Sequence, residues 1–459
     1  MRKISIIVDN PQRDLAGYTY FSEELAKNNF LVFLTPMYNF HEIFLINPDL
    51  VILNHARKGK LNSSGIDLII KYCSLSGIKI VIIDSEGGLF NKNFLNKYKK
   101  FINESHSKID KYFLWGSNKI SLVNKKNIGK YVVAGHPRFD LFFLKNYNNE
   151  FLKNFDKKNY ILVNLSFIWL NPIVGDKIKL KKFHKYKNSR LYNNQKLYFD
   201  KFINFFKSFS KLNKNINFIL RPHPFESLEI YRKEFANYSN IQIINKGDIF
   251  FYLKKCKFVI NHNCQTTLEA ILAGKNCINF SNYELTKGLN ILDKLSTRVE
   301  NENQLKSVIN KFLTKTKVNG LQKKKQLVAK YYNNVDQLSS PHIIRHIELL
   351  FNKIHHNYVS NSSILRVVKI YLENRSFLEV IKFIIKLFLG TQFFFKIRSL
   401  FGNQMYNKKY FDLNNVLDLV RFTNMNKLII KKCSLLDLNY KFLLFPQSII
   451  IKKNNQLIF

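Results

Sequence analysis

The sequence predicts an α/β chain made of two Rossmann-like domains followed by a helical C-terminal extension. Three observations carry this. Short apolar runs alternate with helical stretches through residues 1–150 and again through 151–340, the pattern of βαβ units on a parallel sheet. The polar motifs fall at the carboxyl ends of those runs, where open α/β sheets bind ligands. At 459 residues the chain exceeds what a single core normally fills.

In the first half the strands are ISIIV (4–8), FLVFL (30–34), DLVIL (49–53), IKIVIID (78–84), KYFLWG (111–116) and YVVAG (131–135), with helical stretches at 14–27 and 65–76. A second series opens with YILVNLSF at 160–167, passes through a helix over 195–211, and continues with INFILRP, IQIIN, KFVIN and NCINF. The expected division is one Rossmann-like domain over 1–150, a second over 151–340, and a mostly helical, basic extension over 341–459. Within that extension, residues 364–400 place apolar residues at helical spacing with Lys and Arg between them. Such a face suits either an anionic membrane surface or packing on the globule. The last fifty or so residues carry little pattern.

Hydrophobic residues make up 46% of the chain, enough for globular packing. The net charge of +41 favours anionic partners such as nucleotides, acidic sugars or lipid heads. Its excess is mostly Lys scattered among Asn, Ile, Phe and Tyr, which makes the rarer Arg13, Arg138 and Arg221 more informative. The charge is spread rather than clustered and no nucleic-acid module is recognisable, so nucleic acid is not an expected partner. Cys73, Cys256, Cys264, Cys277 and Cys433 form no C-x-x-C pair and read as reduced thiols of a cytoplasmic protein. The N-terminus turns polar too soon for a signal peptide. The apolar run Phe377–Phe395 is interrupted by Glu379, Lys382 and Lys386, against the ~18 uncharged residues of a membrane helix.

Four motifs carry the chemistry. In Arg221-Pro222-His223-Pro224, each proline fixes its own φ and pushes the residue before it to an extended conformation. A His and an Arg held this way can bind phosphate oxygens at little entropic cost, or simply end a strand in a turn. In Asn263-Cys264-Gln265-Thr266-Thr267-Leu268-Glu269, a strand end leads into a helix that Thr266 and Thr267 open. That start offers hydroxyls and a positive dipole end to a phosphate, with Glu269 one turn in to meet a ribose diol; the plain alternative is an N-cap. In Asp84-Ser85-Glu86-Gly87-Gly88, two carboxylates at a strand end precede glycines that admit close approach to the backbone. Either acid can serve as base or nucleophile, or both can be solvated turn residues; no third ligand stands nearby to complete a metal site. In Gly135-His136-Pro137-Arg138-Phe139-Asp140, Arg138 can hold an anionic group or pair with Asp140 at the hinge.

The ordered set R-D-L at 13–15, S-E-G-G, W-G at 115–116, G-H-P-R-F-D, R-P-H-P-F-E and N-C-x-T-T-x-E-A resembles bacterial surface carbohydrate biosynthesis proteins. More broadly it is similar to the GT-B glycosyltransferases that use CMP-activated acidic sugars, the sialyl- and Kdo-type transferases, over about residues 10–345. The resemblance implies GT-B architecture, no cofactor beyond the nucleotide-sugar substrate, no metal, and a glycan or lipid-linked glycan acceptor. It further implies Glu86, with Asp84 as second choice, as the catalytic carboxylate. His223 with Arg221, and Thr266 and Thr267 with Asn263 and Glu269, then bind the CMP-linked donor. Arg13, His136 and Arg138 are assigned to substrate or hinge. The acidic motif reads D-S-E-G-G where that family has two adjacent acids before glycine. A non-hydrolysing nucleotide-sugar epimerase is the alternative on the same fold, and a basic nucleic-acid-binding protein the alternative of another class.

Overall fold

The computed structural model describes residues 1–56, 66–85, 92–103, 106–144, 159–168, 170–172, 190–281, 290–314, 317–333, 335, 337–352, 414, 416–417, 419, 428–432 and 448–453. Glu86 and the segment 364–400 lie outside them. Two sheets organise the chain. The first holds β1 (Lys3–Val8), β2 (Leu31–Pro36), β3 (Leu50–Leu53), β4 (Lys79–Ile83), β5 (Lys111–Leu114) and β6 (Tyr131–Val133), all parallel, in the order β2-β1-β3-β4-β5-β6. The second holds β7 (Tyr160–Asn164), β8 (Asn217–Arg221), β9 (Ile241–Ile243), β10 (Phe258–Asn261), β11 (Asn276–Phe280) and β12 (Thr297–Val299), also parallel, in the order β12-β11-β10-β7-β8-β9. The architecture is therefore α/β with two Rossmann-like sheets, as the alternation of apolar runs predicts.

Both faces of each sheet are covered, which is why the strands read as nearly continuous apolar runs. In β1, Ile4, Ile6 and Val8 face helix Pro11–Lys27, while Ile7 packs on the opposite side with Val51 and Leu53. Pro11 sits in the first turn of that helix, where its missing N–H costs nothing. The strand order reverses between β1 and β3 in the first sheet and between β7 and β10 in the second. Each reversal opens a crevice at the carboxyl ends.

After the second domain the chain returns to the first. Residues 330–333 run against the end of β5: the Asn333 amide donates to the Trp115 carbonyl at 2.6 Å and the Asn118 amide to Lys330 at 3.1 Å. Gly116 makes this possible, since a Cβ there would stand 2.4 Å from the Lys330 carbonyl oxygen. Helix Ser339–Asn352 then lies on the first sheet, burying Ile343, Ile344, Ile347 and Phe351 with the β1 face. Asp140 caps it. One carboxylate oxygen accepts from Ser339 N at 2.6 Å, and the other from Ser340 N at 2.8 Å and Ser340 Oγ at 2.6 Å. Asp140 thus serves the returning helix, and the Arg138–Asp140 pair weighed from sequence gives way to longer-range partners. An unforeseen hairpin, β13 (Leu428–Lys432) with β14 (Ile449–Lys453), adds antiparallel to β2 and extends the first sheet. Glu42 anchors it by accepting from Ser448 N at 2.8 Å.

Helix 11–27 makes a close backbone contact at Gly17, where a Cβ would meet Arg138 Cα at 2.3 Å. Alanine raises helix propensity by ~1 kcal/mol over glycine. Here it must also force helix 11–27 away from helix Pro137–Asp140, and overpacking costs ~1–3 kcal/mol. Gly17→Ala should therefore lower the denaturation midpoint; an unchanged or raised midpoint would show that the two backbones do not touch.

Candidate functional site

The second sheet builds one wall of a cleft. Strand register sets Arg221, Asn164, Asn261, Asn279 and Arg298 in a single row across β8, β7, β10, β11 and β12 at the carboxyl edge. The row is knitted together by side chains. Asn164 Nδ2 donates to Asn261 Oδ1 at 2.8 Å, and Asn261 Nδ2 to Thr267 Oγ1 at 3.0 Å. Asn279 takes Asn263 N at 2.9 Å and donates to Asn263 Oδ1 at 3.1 Å, while Ser281 Oγ donates to the same oxygen at 2.8 Å. Asn263 has φ of 50°, a left-handed conformation that asparagine tolerates better than most residues.

At the end of β8, Arg221 Nη2 donates to the Gly247 carbonyl at 2.7 Å, and the guanidinium lies 5.3 Å from the centre of the Tyr252 ring. Its Nε has no hydrogen-bond partner. The next residues are fixed by a carboxylate as well as by the prolines. Glu226, fully buried, accepts from Phe167 N at 2.8 Å, His223 N at 3.2 Å and the Tyr231 hydroxyl at 2.5 Å. It ties the loops after β7 and β8 together. His223 Nδ1 accepts from Phe225 N at 3.2 Å, so a neutral His223 ring carries its proton on Nε2 and presents a donor.

Helix Thr266–Leu272 follows β10, which β7 separates from β8. Its two threonines differ. Thr267 is buried in the Asn261 and Cys277 network, whereas Thr266 is half-buried with its hydroxyl 3.1 Å from Cys264 Sγ. Glu269 is buried and paired with Arg138 of the first domain.

Arg138 is the centre of the facing wall. Besides Glu269, its guanidinium has Asp14 at 3.8 Å and lies over the Trp115 and Phe139 rings at 5.3 Å and 4.9 Å. Burial alone would weaken its hold on the proton; Glu269 and Asp14 outweigh that and hold it charged. Arg13 makes a two-bond pair with Asp14, both contacts at 2.7 Å. The result is a chain of alternating charge, Arg13–Asp14–Arg138–Glu269, that crosses from one domain to the other. His136 Nδ1 accepts from Arg138 N at 3.1 Å and caps helix 137–140. Burial, then the Arg138 and Arg13 charges, push its pKa well down, so the ring is neutral among Tyr18, Trp115 and Phe139.

Asp84 is buried at the end of β4. Its carboxylate accepts from Tyr112 at 2.9 Å and from the Tyr98 hydroxyl, and its carbonyl accepts from Trp115 Nε1. The structure thus holds Asp84 in place at the end of β4. Among the described residues no cluster of three or more His, Cys, Asp or Glu stands ready for a metal, and no helix is long and apolar enough to cross a membrane. The described cysteines are free thiols, three of them buried.

Sequence reasoning missed Glu226, the asparagine row, Lys119 and Asp248. Two strands ending in asparagine, LVN and FVIN, and NCINF carrying Asn279 next to its end were the available signal. Lys119 is buried near Asp84, and burial pulls its pKa down to about 8. Asp248 caps helix Ile249–Lys255 through Phe250 N at 2.8 Å. Burial lifts its pKa to about 7 against the opposing charge of Arg138.

No protein-family model matches the sequence, and no curated protein does. Among solved structures the chain is similar to a Methanocaldococcus jannaschii UDP-GlcNAc 2-epimerase complexed with UDP-GlcNAc and UDP. Identity is 15%, covering 76% of this chain and 99% of that one at a TM-score of 0.46. It is also similar to a UDP-N-acetylglucosamine 2-epimerase (12% identity, 79% and 99% covered, TM-score 0.48). A third likeness is to the wall teichoic acid polymerase TagF (11% identity, 77% and 89% covered, TM-score 0.48).

Proposed function

We propose that this chain is a glycosyltransferase that moves an acidic sugar from a CMP-linked donor to a cell-surface polysaccharide or lipid-linked glycan. The observation that supports it best is the wall at the end of β8. There Arg221 is held by the Gly247 carbonyl beside Tyr252, and His223 stands on a loop that Glu226 fixes. Thr266 opens the helix after β10, two strands away across β7. A CMP-sugar carries one phosphate, and the departing nucleotide gains negative charge in the transition state. Donors held in place before the reaction stabilise that charge without reorganising. Arg221 and His223 take the phosphate, and Glu86 is the carboxylate that acts on the acceptor or the anomeric carbon.

Glu86→Gln should keep CMP affinity and lose transfer by ~100-fold or more, the scale of a lost general base. His223→Ala should weaken CMP binding by about tenfold, one charge-assisted bond. Calorimetry with CMP, UDP and GDP, and product analysis with and without acceptor, check both. Unchanged CMP affinity in His223→Ala sinks the donor site. Conversion of donor without acceptor would mean epimerase chemistry instead.

A further inference from the structure

We propose, resting on the nucleotide-site reading, that Tyr252 and the turn before it form a cradle for Arg221. The cradle gives the β8 wall its preference for a phosphate-bearing nucleotide over a bare nucleoside, and Tyr252 and Gly247 are its positioning residues. An arginine left loose at a strand end loses the freedom of several torsions when it meets an anion, and that loss weakens binding. Arg221 is not loose.

Its backbone is set from both sides. Leu165 N, just past β7, donates to the Arg221 carbonyl at 3.0 Å, and Ile244 N, just past β9, donates to the Leu220 carbonyl at 3.0 Å. The second bond draws the chain after β9 alongside Arg221. There Lys246-Gly247-Asp248 turns into helix Ile249–Lys255. Gly247 has φ of 74°, in the left-handed region that glycine enters at least cost, and its carbonyl is the one that takes Arg221 Nη2. Asp248 ends the turn by capping Phe250 N. Tyr252, buried one turn into the helix, reaches back to donate its hydroxyl to the Lys246 carbonyl at 2.6 Å. That bond closes residues 246–252 on themselves and fixes both contacts to Arg221 relative to each other: the Gly247 carbonyl, and the Tyr252 ring 5.3 Å from the guanidinium.

The two contacts differ in kind. The carbonyl takes one N–H of the fork, while the ring face attracts the cation without taking a donor. Both groups are neutral, so the positive charge stays available to an anion. Arg13 and Arg138, by contrast, are paired with carboxylates. Among the described residues no carboxylate forms an ion pair with Arg221; Asp248 lies within its field but gives a carboxylate oxygen to Phe250 N. Arg221 is half-buried at the carboxyl edge of the row, two residues before His223. A guanidinium held there by neutral groups can meet a phosphate without first losing its own freedom.

Calorimetry with CMP and with cytidine, on the full chain and on Arg221→Gln, Tyr252→Leu, Tyr252→Phe and Gly247→Ala, tests the cradle. The readout is the ratio of the two affinities, because a variant that only loosens the domain lowers both. Arg221→Gln should cut the ratio by about tenfold. Tyr252→Leu should cut it by about fivefold with cytidine affinity kept, and Tyr252→Phe, which retains the ring, should stay within about twofold of wild type. In Gly247→Ala the added Cβ would stand 4.0 Å from the Tyr252 ring, an ordinary contact, so only the turn is strained; the ratio should fall by about threefold. Should Tyr252→Leu fail to fold, Gly247→Ala carries the comparison. A ratio that Arg221→Gln leaves unchanged overturns the nucleotide-site reading and the cradle with it. A ratio that falls in Arg221→Gln but in neither Tyr252→Leu nor Gly247→Ala leaves that reading standing and overturns the cradle alone. Equal losses of CMP and cytidine in the cradle variants, or a Tyr252→Phe as weak as Tyr252→Leu, overturn it as well.

Discussion

Arg138→Ala is expected to cost about 3–5 kcal/mol of stability, the scale of a buried ion pair broken from one side. Asp14 and Glu269 are both buried, and Arg138 stands between them. Asp14 keeps Arg13 as a partner, so the loss falls mainly on Glu269, left as a charge without its cation across the domain boundary. The charge pattern also says how to recover it. Arg138→Met with Glu269→Leu removes both members and leaves no orphan, so most of the loss should return. Urea titrations of the single and double variants test this, and a single variant within ~0.5 kcal/mol of wild type would contradict it. Because the pair joins helix 137–140 to helix 266–272, the same substitution should loosen the hold of one domain on the other. Limited proteolysis between the domains would report that separately from global unfolding.

Local pattern carried the sheets and failed at the joins. Apolar runs and turn residues are written within a few positions of each other, so β1 to β11 were largely readable as strands or strand ends, while the three-residue β12 was not. The clamp was not. Arg138 was singled out for its rarity, but its partner lies 131 residues further on, and Asp140 reaches Ser340 over 200. The W-G motif was seen without its reason, a backbone crossing at Gly116. Hairpin β13–β14 was missed because Ile449, Ile450 and Ile451 sit in a weakly patterned tail whose partner, β2, is at the other end of the chain. Among the candidate site residues, type was legible and availability was not. Thr266 and Thr267 look alike in sequence, yet only burial tells which hydroxyl the Asn261 network uses. Asp84 and Glu86 look like one acidic motif, but two tyrosine hydroxyls from distant segments hold Asp84.

Glu226 separates fold from function at the R-P-H-P loop. Its charge is buried and held by Phe167 N, His223 N and the Tyr231 hydroxyl. Glu226→Ala strips three buried donors of their acceptor at ~1–3 kcal/mol each, so a loss of at least about 3 kcal/mol is expected. Glu226→Gln is the more informative change. Its amide oxygen can still accept from the two backbone amides, while its NH2 meets Tyr231, which must turn from donor to acceptor. The phenol can do so, since its oxygen carries lone pairs that accept a hydrogen bond. Glu226→Gln should therefore stay folded but hold His223 less firmly, and on the proposed reading CMP affinity should fall by about tenfold. Tyr231→Phe removes one donor to the buried carboxylate and leaves both backbone bonds, so it should cost about 1.5–3 kcal/mol of stability and leave CMP affinity unchanged. Calorimetry alongside urea unfolding ranks the three. Should Tyr231→Phe weaken CMP binding as much as Glu226→Gln, affinity follows stability alone and the loop has no separate role in holding the nucleotide.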